Sequence, residues 1–196
     1  MPQHMRTLLY IIILCFSITY HTLAQTIRNP SFEGMPNVAS IPAHWLPCQA
    51  GSTPDTQPGH WLVTLPPSDG KSYLSMVCRF DSWEACQQKL SQPLLMGKCY
   101  QYTIDLANAP NFAGSYGGVT QLRIWGGTKS CSQDELLWES GLVNKTKWQR
   151  YLVELAPKQA SYPFIILEVY YVKKAPYRGN ILLDNFRFKQ ELPCEF

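Results

Sequence analysis

Two kinds of side chain in this sequence could do chemistry at a surface: aromatic rings, and planar polar groups placed near them. Arg79, Trp83 and Gln87 recur four residues apart around one loop, and Arg123 and Trp125 stand two apart. Residues two apart on a strand share a face, so Arg123 and Trp125 would point the same way. Trp61 and Tyr116 are further candidates, the latter in the glycine-rich loop Gly114-Ser115-Tyr116-Gly117-Gly118. A pyranose ring stacks its apolar C–H face on Trp or Tyr, while its hydroxyls need partners such as Arg and Gln, so this mixture suits a carbohydrate. The competing reading places each tryptophan in the core, where large rings belong by default. With 6 Trp and 11 Tyr against 16% charged residues, the chain holds enough rings to fill a core and still expose one.

Catalytic constellations are weaker. A glycosidase sets two carboxylates about 5 to 10 Å apart across one bond, and the adjacent pair Asp134-Glu135 has no such specificity. Beyond residue 24 the histidines are His44 and His60, and no Gly-x-Ser-x-Gly elbow accompanies them. Packing or turn roles account for both, and the expectation is a protein that is not an enzyme.

The elements that must hold these residues are strands. Turn residues such as Pro66-Pro67-Ser68-Asp69-Gly70 and Gly126-Gly127 separate runs rich in β-branched and aromatic residues. The runs predict strands over 60–64, 72–79, 85–90, 99–107, 120–125, 148–155, 164–172 and 181–188. Within 100–106 the large apolar residues take every second position, giving one buried and one wet face. The run Phe164-Ile165-Ile166-Leu167-Glu168-Val169-Tyr170 is more continuous and suggests a central strand. Residues 132–139 could form one or two helical turns. Many strands without interleaved helices predict an all-β antiparallel sandwich.

Residues 1–24, with an apolar run from Leu8 to Phe16 and the exit Thr22-Leu23-Ala24, have the layout of a secretory signal. Residues 25–196 then form a single β-sandwich domain, secreted, periplasmic or at a cell surface, with no transmembrane segment after cleavage. The net charge of +3 is small and the basic residues are scattered, which argues against nucleic acid. Six of the 7 cysteines follow residue 24 and none forms a Cys-x-x-Cys pair, so disulfides are favoured over metal ligation. A bond from Cys78 to Cys86 across a hairpin loop is one of the possible pairings.

The segments Asn29-Pro30-Ser31-Phe32-Glu33-Gly34 and Ile181-Leu182-Leu183-Asp184-Asn185-Phe186-Arg187-Phe188 bracket this domain. Between them come Asp69-Gly70-Lys71-Ser72-Tyr73-Leu74, then Pro93-Leu94-Leu95-Met96-Gly97-Lys98-Cys99-Tyr100, then Lys147-Trp148-Gln149-Arg150-Tyr151. In this order the segments resemble galactose-binding-like jelly rolls, including many carbohydrate-binding modules. The likeness covers nearly all of 27–188. It implies a jelly-roll fold, a glycan or polysaccharide as partner, and non-catalytic, lectin-like binding through Arg79, Trp83, Gln87, Arg123, Trp125, Trp61 and Tyr116.

It also implies a structural Ca²⁺ tying the first strand to the last, through Glu33 and Asp184 with help from the Asp69-Gly70-Lys71 turn. A hard cation wants six to eight oxygens, of which these are a partial set. The other reading has Glu33 and Asp184 hydrogen-bonding turns. The six cysteines, the segment Thr53-Pro54-Asp55-Thr56-Gln57-Pro58-Gly59 and the run Leu122-Arg123-Ile124-Trp125-Gly126-Gly127 look more like exported bacterial surface proteins on the same fold. Such relatives imply an alternative role, adhesion to an envelope protein. In a bacterial chain the acceptor pattern Asn144-Lys145-Thr146 carries no weight.

Overall fold

The computed structural model describes residues 27–49, 51–172 and 177–194; the expected secretory signal at 1–24 lies outside them. Ten strands follow in chain order: β1 Leu46–Pro47, β2 Asp55–Gln57, β3 Tyr73–Cys78, β4 Ala85–Leu94, β5 Cys99–Ala107, β6 Thr120–Gly127, β7 Glu135–Glu139, β8 Gln149–Leu155, β9 Tyr162–Tyr171 and β10 Gly179–Leu192. They form two five-stranded sheets, the first in order β1-β4-β9-β6-β7 and the second in order β2-β3-β10-β5-β8. All neighbours within them run antiparallel. Among the described residues there is no α-helix, only a 3₁₀ turn at Phe112–Gly114.

Period-two alternation is what closes the sandwich. Tyr102, Ile104 and Leu106 of β5, Leu122 and Ile124 of β6, Ile165, Leu167 and Val169 of β9, and Ile181 and Leu183 of β10 meet in one core. Burying each such side chain stabilises the fold by about 1.5–3 kcal/mol. On β10, Asp184 stands opposite Asp105 but Arg187 stands opposite Thr103, so β10 carries one extra residue. Asn185 takes up that bulge with φ 55°. Asparagine tolerates this left-handed conformation. The bulge moves the core-facing positions from Ile181 and Leu183 to Phe186 and Phe188 and leaves Asp184 on the outer face beside Asp105.

A second, smaller apolar cluster covers the outer face of the second sheet, where Val63 and Phe112 from loops pack on Tyr73, Val77, Ala107 and Leu182. The Asn180 side chain, fully buried, clamps the 109–116 loop there. Its amide donates to the Ala109 and Tyr116 carbonyls at 2.8 and 2.6 Å and accepts from Ala109 N–H at 3.0 Å.

Three expectations need correction. The predicted strand at 60–64 is a loop, because Trp61 and Leu62 take left-handed φ values of 55° and 65°, which no strand accommodates. In place of the helical turns expected within 132–139, residues 132–134 are loop and 135–139 are the strand β7, which completes an edge by pairing with β6. The short strands β1 and β2 carry too few residues to show a period. Cys78 and Cys86 are both free and buried, while the disulfides join Cys48 to Cys131 and Cys99 to Cys194. A tight turn sets Cys78 opposite Trp83, but the chain then passes to the other sheet and Cys86 faces the core, so the two thiols do not meet. Burial pushes the Cys78 thiol up to about 11 and the Cys86 thiol higher still.

Candidate functional site

Alternation along β9 puts Ile165, Leu167 and Val169 in the core, so Ile166, Glu168 and Tyr170 face outward on the first sheet. Glu168 is only 2% exposed. Its carboxylate accepts from Trp83 Nε1 at 2.6 Å, Trp125 Nε1 at 2.8 Å and Gln133 Nε2 at 2.8 Å. Hydrogen bonds to an ionised acceptor are short and about twice as strong as neutral ones. The two indoles are therefore fixed by their N–H edges, with their rings half-buried at the surface. Trp83 also meets Tyr170 edge to face, with centroids 4.8 Å apart. The Arg123 guanidinium lies 3.7 Å from the Tyr170 ring centroid and pairs with Glu139 at 2.6 Å. Gln121 Nε2 donates to the same Glu139 carboxylate at 3.3 Å. The result is a sheet face on which three rings alternate with Arg123, Gln121, Gln133 and Glu139.

Gln87 belongs to this face but is committed internally. Its amide donates to Ser130 Oγ at 2.5 Å and accepts from Cys131 N–H at 2.8 Å. It thereby holds the loop between β6 and β7, which the Cys48–Cys131 disulfide also ties to the segment beside β4. Within that loop Thr128 Oγ1 and Ser132 Oγ donate to Asp134 at 2.5 and 2.9 Å. The Thr128 hydroxyl does most to hold the Asp134 carboxyl below its ordinary range. Glu135 points elsewhere, accepting from Lys158 N–H and from Tyr162 Oη at 2.9 Å. The adjacent acids are thus turn and core fasteners aimed at different partners.

The seven aromatic and polar candidates divide between two places. Trp83, Gln87, Arg123 and Trp125 gather on the first sheet, whereas Trp61, Arg79 and Tyr116 line a separate pocket of about 210 Å³. Arg79 leaves its sequence neighbours because Glu84 draws it away. Glu84, 1% exposed, accepts from Arg79 at 2.8 Å, from Val77 N–H at 3.0 Å and from Thr53 at 3.3 Å. Asp55 joins it in the pocket, accepting from Ala39 N–H at 2.7 Å. Burial is the largest influence on both carboxyls and raises each above its ordinary value.

The third group, Glu33, Asp69 and Asp184, surrounds the 68–72 turn. Asp184 Oδ2 accepts from Ser68 and Asp69 N–H at 2.8 and 2.9 Å, and Glu33 accepts from Lys71 N–H at 3.0 Å. A Cβ on Gly70, whose φ is 68°, would collide with the Glu33 carboxylate, so this close approach requires glycine. Asp69 accepts from Ser31 Oγ at 2.5 Å and from Arg187 at 2.6 Å. The Ser31 hydroxyl contributes most to lowering the Asp69 carboxyl. Among the described residues no three His, Cys, Asp or Glu side chains converge as a metal-binding group. These carboxylates face N–H, hydroxyl and guanidinium donors, which is the turn-fastening role.

Sequence reasoning missed Glu168, Tyr170, Asp55, Glu84 and Gln133. The signal for Glu168 was present as the lone acid in a continuous apolar strand, with Tyr170 two residues on. Asp55 and Glu84 carried no comparable signal, because their meeting depends on how β2 and the β3–β4 crossover pack.

No protein-family profile and no curated protein matches the sequence. Solved structures do resemble it. A cyclase from Fischerella sp. TAU aligns at 13% identity and TM-score 0.59, over 89% of this chain and 99% of that one. An arabinose-bound MgGH51 α-L-arabinofuranosidase aligns at 14% identity and TM-score 0.59, over 84% of this chain but 26% of the enzyme. The K1 cleaved adhesin domain of Lys-gingipain from Porphyromonas gingivalis W83 aligns at 14% identity and TM-score 0.51, over 81% and 95%. At these identities the likeness is one of fold, and that fold is the all-β antiparallel jelly-roll sandwich predicted from the sequence.

Proposed function

We propose that the chain is a non-catalytic, lectin-like module that binds a glycan or polysaccharide on the outer face of its first sheet. The observation that carries this reading is the Glu168 cluster. Two indoles are held by their N–H edges, leaving ring surface for pyranose C–H faces, and Arg123, Gln121 and Gln133 stand beside them for hydroxyls. An adhesion face for an envelope protein would call for a continuous apolar patch, which these polar side chains interrupt. The two disulfides support export to an oxidising compartment, with 1–24 as the cleaved signal. Among the described residues no helix is long and apolar enough to cross a membrane.

Affinity electrophoresis and calorimetry against a polysaccharide panel test the proposal. At about 25 cal/mol per Å², losing about 100 Å² of stacked ring costs about 2.5 kcal/mol, so Trp125→Ala should weaken binding at least tenfold. Absence of retention on every polysaccharide, or an unaffected Trp125→Ala variant, sinks the reading. A structural Ca²⁺ at Glu33 and Asp184 is a separate proposal, carried by the family resemblance and not by the geometry. A melting temperature that rises with calcium and falls with EDTA supports it, and an unchanged one rejects it.

A further inference from the structure

The pocket bounded by β2, the end of β3 and the loops at 61–62 and 112–116 has an unbalanced interior. Its lining includes Asp55, Glu84 and Arg79 together with the rings of Trp61, Phe112 and Tyr116. Arg79 pairs with Glu84, and no ion pair among the described residues falls on Asp55, which is 6% exposed. His60 bears on Asp55 electrostatically without forming an ion pair with it. A buried carboxylate without a cation is costly. Burial accordingly raises the Asp55 carboxyl, although hydrogen bonds from Ala39 N–H and the Trp61 and Ser75 side chains oppose it.

The walls narrow the choice of ligand. An anion would meet two carboxylates against one guanidinium, and a neutral group would leave Asp55 uncompensated. A cation is favoured by the carboxylates and by the Trp61 ring face, which attracts positive charge, while the Tyr116 ring is already served by the Arg178 guanidinium 5.2 Å from its centroid. At about 210 Å³ the space falls below the roughly 300–1,000 Å³ of sites for drug-sized ligands, so it admits one ring or end group. Trp61, 43% exposed, lies at this lining with its ring open to solvent. Trp61, Leu62 and Ala113 all hold left-handed φ values, of 55°, 65° and 47°, and Ala113 N–H bonds the Trp61 carbonyl at 2.8 Å. Such strain costs about 1–3 kcal/mol per residue and clusters where a ligand is held.

We propose that this pocket is a second binding site, which takes a primary ammonium group on a single sugar ring, that is, a hexosamine residue. The ammonium pairs with Asp55 and the ring packs on Trp61. The choice of an amino sugar over another amine rests on the carbohydrate reading above.

Titrating the mature chain with D-glucosamine, glucose, N-acetylglucosamine and n-butylammonium, followed by NMR of the tryptophan indoles, tests this. Glucosamine should shift the Trp61 indole and bind at least tenfold more tightly than the other three. Asp55→Asn should abolish that preference, and Trp61→Ala, at an exposed ring, provides a second variant should the first fail to fold. Trp125→Ala should leave it intact. Equal binding of glucosamine and glucose overturns the ammonium site, and n-butylammonium binding as tightly as glucosamine overturns the sugar. Failure of glucosamine alongside intact polysaccharide retention rejects this site and spares the sheet face. The converse result, glucosamine binding without polysaccharide retention, rejects only the sheet face.

Discussion

Replacing Glu168 by alanine would leave two indole N–H groups and the Gln133 amide without their shared acceptor. The Gln133 side chain is exposed and can turn to water, but each half-buried indole N–H left unpaired costs up to about 1–3 kcal/mol, so Glu168→Ala should lower the melting temperature and abolish polysaccharide retention together. Glu168→Gln keeps one carbonyl oxygen and should retain the fold while weakening binding. Equal retention by wild type and Glu168→Ala would show that the indole anchors are irrelevant to recognition. Tyr102 makes the opposite case. Its hydroxyl is buried without a hydrogen-bond partner among the described residues, so Tyr102→Phe removes an unsatisfied group. Denaturant unfolding should find that variant as stable as wild type or more so.

The β6–β7 loop depends on a crosslink as much as on its own turn. Cys48 and Cys131 are 83 residues apart in sequence, and closing a loop of that length removes about 4.6 kcal/mol of unfolded-state entropy on the simple chain model. Measured effects run lower, about 2–4 kcal/mol, so a Cys48→Ser/Cys131→Ser double variant should lose stability of that order. Freed from Cys48, the loop is held chiefly by Gln87, and hydrogen exchange at residues 128–134 should accelerate. Unchanged exchange would mean that Gln87 and the Asp134 turn suffice. The Asn180 clamp on the 109–116 loop acts at the same scale on the opposite sheet. Asn180→Ala should disturb the pocket of Asp55 and Glu84 and leave the Glu168 face unaltered.

Across the whole molecule, the packing of the 68–72 turn against β10 imposes a pH dependence on stability. Burial pushes the Asp184 carboxyl up to about 7 from an ordinary value of 3.8. Between these values the folded chain holds a proton that the unfolded chain has released, so this group's contribution falls as pH rises from about 4 to 7. Asp105 acts in the opposite sense. Burial alone would raise it, but hydrogen bonds led by Arg150, at 2.8 Å, outweigh that and hold it below its ordinary value. Its contribution is present above about 3.8 and lost in stronger acid. Unfolding measured in EDTA across pH 4–8 should therefore show a downward slope that Asp184→Asn flattens. An identical slope in that variant would place the titrating group elsewhere.

The class of fold is legible in the residue pattern. Alternation within 100–106 and a succession of strands without helices call for stacked sheets; the wet face expected there is instead covered, because Val63 and Phe112 pack over the outer face of the second sheet. The pattern also establishes that rings and planar polar groups are available together, and that Arg123 and Trp125 share a face. Which candidates meet depends on how the sheets and crossovers pack. Trp83 and Arg79 lie four residues apart yet serve different sites, because the crossover from β3 to β4 turns one toward Glu168 and the other toward Glu84. Residues 60–64 have a strand's composition but lie as a loop over the second sheet, and 135–139 became a strand because the β6 edge offered hydrogen bonds. The cysteine pairing was equally closed to sequence reasoning. A disulfide depends on distance in space, and Cys48 meets Cys131 only after two segments 83 residues apart have packed on the same sheet.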